Sequence, residues 1–171
     1  MPPPNADILG ILRVFHDAGV QFVVIGGVSA ALQGVPAATF DVDLVLDPAR
    51  ENLDRAWEVL SAIRACFREQ LPSKRLEPER AQLESPGAML LLTDLGPLDL
   101  LGAVATGWHH DELLARSHQI EVEPDFEIRV LDLTALIEIK EAVGREKDLA
   151  VLPLYRQVLR EREGNDPGSQ D

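Results

Sequence analysis

Apolar residues recur at three- and four-residue spacing near the start of the chain, then give way to apolar runs and to strict alternation. In "ADILGILRVFHDAG" (6–19), Ile8, Ile11, Leu12 and Phe15 share one helical face, and Gly19 is a suitable stop. "VQFVVIGG" (20–27) is a β-branched run ending in two glycines, which predicts a buried strand. "VSAALQG" (28–34) suits a short helix closed by Gly34. "FDVDLVLD" (40–47) alternates, with Phe40, Val42, Leu44 and Leu46 on one face and Asp41, Asp43 and Val45 on the other.

From Arg50 to about Arg68, the stripe Leu53, Ala56, Trp57, Leu60 and Ile63 predicts an amphipathic helix, with Cys66 as a small core residue within it. The polar, proline-broken stretch 69–87 reads as loop with a short edge strand. "AMLLLTDLGPLDLLG" (88–102) predicts two strands around a Gly-Pro turn, and "FEIRVLD" (126–132) one more. Residues 133–144 and 145–163 are helical in pattern, with Pro153 kinking or restarting the second helix. This order predicts an α/β fold: a small mixed β-sheet flanked by helices, with further helices at the C-terminus. Residues 1–162 are expected to form a single domain and 163–171 a disordered tail.

Composition narrows the function classes. A chain of 171 residues with mean hydropathy of −0.02 can bury a sizeable core, and no apolar run reaches the roughly 18–20 residues that span a bilayer. The N-terminal "MPPPNADILG" lacks the basic start and cleavage site of a signal peptide, so a cytoplasmic location and no membrane partner are expected. One cysteine excludes an internal disulfide framework and a thiolate metal cluster. A net charge of −13 repels nucleic-acid phosphates at long range and argues against a broad nucleic-acid-binding surface. A small nucleotide is not excluded, because a metal and a few side chains can meet its charge locally.

The chemistry concentrates in "IGGVSAALQGVPAATFDVDLVLD" (25–47). Residues i and i+2 of a strand share a face roughly 6–7 Å apart, so Asp41 and Asp43 project side by side. Two such carboxylates repel unless something positive lies between them. They suit one or two divalent cations held against a triphosphate. The glycines Gly26 and Gly27 let a ligand approach the backbone, and amides opening a helix suit phosphate oxygens.

This segment resembles the Gly-Gly/Ser, spacer, Asp-x-Asp signature of the DNA polymerase beta-like nucleotidyltransferase superfamily. It is most similar to the small bacterial members related to abortive-infection toxins. The resemblance implies that Gly26 and Gly27 meet the phosphates of a nucleoside triphosphate, and that Asp41 and Asp43 bind Mg2+ (or Mn2+). It also implies a third acid from a later strand, which "GPLDLLG" supplies as Asp99, as metal ligand or general base; Asp94 is the weaker candidate. "ALIEIKEAVGREKDLAVLPLY" (135–155) is similar to the Lys…Arg-x-Lys-Asp segment of these proteins, placing Lys140 and Lys147 near the phosphates. Asp148 would orient one lysine or cap the last helix. One departure stands out: many relatives carry serine where this chain has Gly27, and Ser29 is a candidate to replace the missing hydroxyl, or a simple cap.

His109, His110 and His118 lack a zinc-protease spacing and are expected on a polar helix or loop beside the cleft. Trp57 and Trp108 read as core or cleft wall, and no serine triad, Walker or dinucleotide fingerprint is present. The sequence therefore predicts a metal-dependent nucleotidyltransferase that moves an NMP from an NTP to an unidentified acceptor hydroxyl. A small molecule, a protein or an RNA end would serve, the last least favoured by the charge. The alternative is a non-catalytic module of the same fold, acting through a homodimer or a partner protein in a toxin–antitoxin or defence pair.

Overall fold

The computed structural model describes residues 6–68, 75–85 and 87–165. Among these, seven strands form one mixed sheet: β1 (Phe22–Ile25), β2 (Val42–Leu46), β3 (Cys66–Phe67), β4 (Met89–Thr93), β5 (Gly96–Leu100), β6 (Ser117–Glu123) and β7 (Phe126–Leu131). The strand order is β3-β4-β5-β2-β1-β7-β6. The central pairings β2–β5 and β1–β7 are parallel, whereas β1–β2 and the outer pairs are antiparallel. The helices are α1 (Ile8–Asp17), α2 (Gly26–Leu32), α3 (Arg50–Ala62), α4 (His110–Ala115), α5 (Leu133–Val143) and α6 (Glu146–Gly164), with a 3-10 turn at Arg80–Glu84. This is the mixed α/β architecture expected from the sequence.

Two apolar layers cover the sheet. Phe22 and Val24 of β1, Val42 and Leu44 of β2, and Leu98 and Leu100 of β5 pack with α1 and α3. Val23 and Ile25 of β1 and Val45 of β2 face the other way, toward α2, α5 and α6. Coverage on both faces explains why "FVVI" is a continuous apolar run: all four residues are buried. Period 2 also decides where the acids go. Asp43 and Asp99 lie on the α5/α6 face, opposite Leu44 and Leu98.

Several boundaries differ from expectation for identifiable reasons. Helix α3 ends at Ala62 rather than near Arg68, because Arg64 adopts φ +52° and breaks the helical path. Cys66 therefore sits on strand β3, half-buried, with its thiol directed at the Leu92 carbonyl 3.6 Å away. Phe40 precedes β2 instead of joining its apolar face, and is 77% exposed. The β4–β5 turn is Asp94–Leu95, with Gly96 and Pro97 opening β5. Gly96 has φ +125°, and a Cβ there would meet Ala6 Cα at 2.7 Å. Helix α6 runs through Pro153 as one element and ends at Gly164, one residue beyond the helical pattern.

Residues 166–171 of the expected tail, and 69–74 and 86 of the expected loop and edge strand, lie outside the described residues. Among the described residues, no helix is long and apolar enough to cross a membrane.

Candidate active site

One row of residues across the sheet builds the site. Asp43 of β2 pairs in register with Ile25 of β1 on one side and with Asp99 of β5 on the other. Asp99 in turn faces Leu90 of β4, whose carbonyl accepts from the Arg68 backbone N–H at 2.9 Å. Side chains in one row of a sheet point the same way, so Asp43 and Asp99 project together, with Gly26 following Ile25 at one end and Arg68 reaching Asp99 from the other. Asp41, just before β2, completes an acidic cluster: one carboxylate oxygen from each of Asp41, Asp43 and Asp99 lies within 4.8 Å of the others. No other group of three potential metal ligands occurs among the described residues.

Like charges at this range raise the cost of ionisation. Asp43 is pushed up to about 7, first by burial, then by the charges of Asp41 and Asp99 and a hydrogen bond with Asp99. Burial also raises Asp99, against the pull of Arg68, whose guanidinium donates to Asp99 Oδ1 at 2.6 Å. The same guanidinium donates to the Leu91 carbonyl at 3.0 Å. The donor set consists of carboxylate oxygens only, the set preferred by hard cations such as Mg2+ and Mn2+. These three residues fit such an ion.

The glycines are explained by what passes over them. Gly26 has φ +66°, and a Cβ there would lie 2.1 Å from Asp43 Oδ2. Gly26→Ala is therefore expected to cost about 1–2 kcal/mol for the left-handed backbone alone and to push Asp43 out of the cluster. Thermal unfolding and Mn2+ titration of that variant check both effects.

Opposite the acids, α5 and α6 close a cavity of about 660 Å³, a volume that suits a nucleotide-sized ligand. Gly26, Gly27, Lys140, Lys147 and Asp148 line it together with Asp41, Asp43 and Asp99. Asp148 is buried and accepts from Lys140 Nζ at 3.1 Å and from Arg145 Nε at 2.6 Å. Burial alone would raise this carboxyl, but the two hydrogen bonds outweigh it and hold Asp148 below the usual carboxylate range. The Lys140 ammonium also sits 5.5 Å from the centre of the Tyr155 ring. Burial, followed by the charges of Asp148 and Asp43, raises the Tyr155 phenol. Lys147 is exposed at the cavity wall and forms no ion pair among the described residues.

The remaining candidates do not line the cavity. Ser29 is fully buried and donates to the Leu131 carbonyl at 2.8 Å, so its hydroxyl points into the packed layer and not into the cavity. Asp94, the weaker third acid, lies in the β4–β5 turn and takes a bidentate contact from Arg64 at 2.8 Å. The three histidines do not converge: His109 caps α4, His110 is buried, and His118 pairs with Asp132 at 2.5 Å. Sequence reasoning missed Arg68, Arg145, Tyr155 and Thr39 at the site, and the strand β6. The alternation of Ile120 and Val122 with polar neighbours was the available signal for β6.

The described architecture is the nucleotidyltransferase fold. The chain is similar to TM1012 of Thermotoga maritima, a candidate nucleotidyltransferase, at 23% identity and a TM-score of 0.53, over 90% of this chain and 93% of that one. It is also similar to the lincosamide antibiotic adenylyltransferase LnuA, solved with lincomycin bound, at 14% identity and a TM-score of 0.59, over 88% and 94% of the two chains. No protein-family model matches the chain, and no curated protein matches it.

Proposed function

We propose that this protein is a metal-dependent nucleotidyltransferase that moves an NMP from an NTP to an acceptor hydroxyl. The observation that carries this reading is the convergence of Asp41, Asp43 and Asp99 on one cavity whose far wall holds Lys140 and Lys147. Asp41, Asp43 and Asp99 would hold Mg2+ or Mn2+, which supplies charge neutralisation at the α-phosphate when bound. Gly26 and Gly27 keep the cavity floor open to the phosphates, and Lys147, with Lys140 anchored by Asp148, attracts their negative charge. Asp99 accepts the proton of the acceptor hydroxyl while Arg68 holds its other oxygen. The acceptor oxygen–phosphorus bond forms as the bond to pyrophosphate breaks. Positioning and preorganised charge supply most of the rate.

The Gly-Gly…Asp-x-Asp and Arg-x-Lys-Asp segments support the small bacterial, abortive-infection-related branch. The net charge of −13 favours a small-molecule or protein acceptor over an RNA end, and LnuA, a neighbour in fold, is named for a small-molecule acceptor. Calorimetry of NTP binding with and without Mg2+ tests the reading, using wild type and the doubly substituted Asp41→Asn/Asp43→Asn protein. Binding that requires the metal and disappears in the variant is expected. A folded wild-type protein that binds no NTP under any of these conditions would sink it.

A further inference from the structure

Most of the cations at the cavity are already engaged. Arg68 holds Asp99, and both Lys140 and Arg145 hold Asp148. Three carboxylates converge at the other wall. A polyanion entering here needs further donors, and on the Asp41 side the lining offers one neutral side-chain hydroxyl, that of Thr39. The other hydroxyl of the lining, Tyr155, belongs to a residue 2% exposed on the Lys140 side.

Thr39 is placed by the absence of a side chain at Gly27. A Cβ at Gly27 would lie 3.0 Å from Thr39 Oγ1 and 3.1 Å from Thr39 Cβ. The Thr39 side chain thus crowds position 27, and a Cβ there would need it to give by a few tenths of an ångström. Its bond to the Asp41 carbonyl, 3.2 Å, is at the long end for O–H···O, and a hydroxyl proton rotates freely to a better acceptor. An ionised phosphate oxygen is such an acceptor.

We propose that the Thr39 hydroxyl is a phosphate-binding group of this cavity, donating to a nucleotide phosphate oxygen between Gly27 and Asp41. The assignment rests on the nucleotidyltransferase reading above. It supplies attraction without adding charge, and it explains how a chain with glycine at position 27 still presents a hydroxyl there.

The test is calorimetric titration, in Mg2+, of each of the four ribonucleoside triphosphates and of inorganic pyrophosphate, which has no sugar or base. Wild type, Thr39→Val and Thr39→Ser are compared, with melting temperatures measured alongside. Thr39→Val is expected to weaken the preferred NTP and pyrophosphate by about tenfold each, the usual size for a hydrogen bond to a charged group. Thr39→Ser should bind within about twofold of wild type, and all three proteins should melt within about 2 °C of one another if the role is binding rather than packing. Unchanged affinity in Thr39→Val, or a loss that follows a fall in melting temperature, overturns the proposal. So does a loss confined to the nucleotide, or a wild type that binds nucleotide but not pyrophosphate, because either would place the contact on sugar or base. A wild type that binds neither probe removes the nucleotide reading itself, and the Thr39 assignment with it.

Discussion

Asp43→Asn is expected to raise the melting temperature of the metal-free protein at pH 8 by roughly 4–8 °C while abolishing metal-dependent nucleotide binding. The gain arises because Asp43 ionises near 7 in the fold but near 4 in the unfolded chain. A carboxyl with a raised folded value stabilises the native state fully below about pH 4 and loses that contribution as pH climbs through about 7. Each unit is worth about 1.4 kcal/mol, and allowing for relaxation around the site we expect about 2 kcal/mol of the full span to be recovered by the amide. The difference between variant and wild type should therefore grow from pH 4 to pH 7 and level off above. Magnesium should reverse the order, because it stabilises only a protein that can bind it. Melting curves at pH 5 and pH 8, with and without Mg2+, decide the matter. An Asn variant no more stable than wild type at pH 8 would contradict the crowding of charge at Asp43.

Asp148→Ala should have the opposite sign and a larger size, a loss of about 3 kcal/mol at pH 7. Asp148 is 5% exposed and holds two cations, one of which, Lys140, keeps only 20% of its side chain in contact with solvent. Removing the acid leaves that ammonium without an ion-pair partner against the Tyr155 ring and deletes the ion pair that ties the first turn of α6 to α5. Because its folded value is depressed, Asp148 contributes stability above about pH 4 and loses it as pH falls through that lower value. The gap between wild type and variant in denaturant unfolding should accordingly be wide at pH 7 and narrower at pH 3.5. A gap of equal size at both would mean that packing, not charge, is what Asp148 provides. The same variant should bind NTP more weakly, since Lys140 is then free to swing away.

Much of this was legible from residue pattern. The Asp41–Asp43 pairing follows from strand alternation, whereas Asp99, Lys140, Lys147 and Asp148 were pointed to by the family resemblance; all six line the cavity. What escaped depends on separation along the chain. Arg68 reaches Asp99 across 31 residues only because β3, β4 and β5 form an antiparallel meander, and β3 is two residues long. A strand that short leaves no alternation to read. Ser29 was misplaced because its position in α2 was not resolved by a seven-residue pattern: one face of that helix meets the cavity and the other meets Leu131. Thr39 stood beside the acidic motif, yet its contact with Gly27 spans a loop whose path no periodicity predicts.

The row that joins Ile25, Asp43, Asp99 and Leu90 also bears on how the sheet assembles. Faces alternate with period 2, so sliding β5 by one residue against its neighbours would turn Asp99 into the layer of Leu98 and Leu100. A carboxylate forced among leucines without a partner is heavily penalised, so the misaligned sheet is rejected while it forms. The acids thereby proofread strand alignment during folding. Neutral replacements would remove that penalty, admitting mispaired chains during folding even where the finished protein tolerates them.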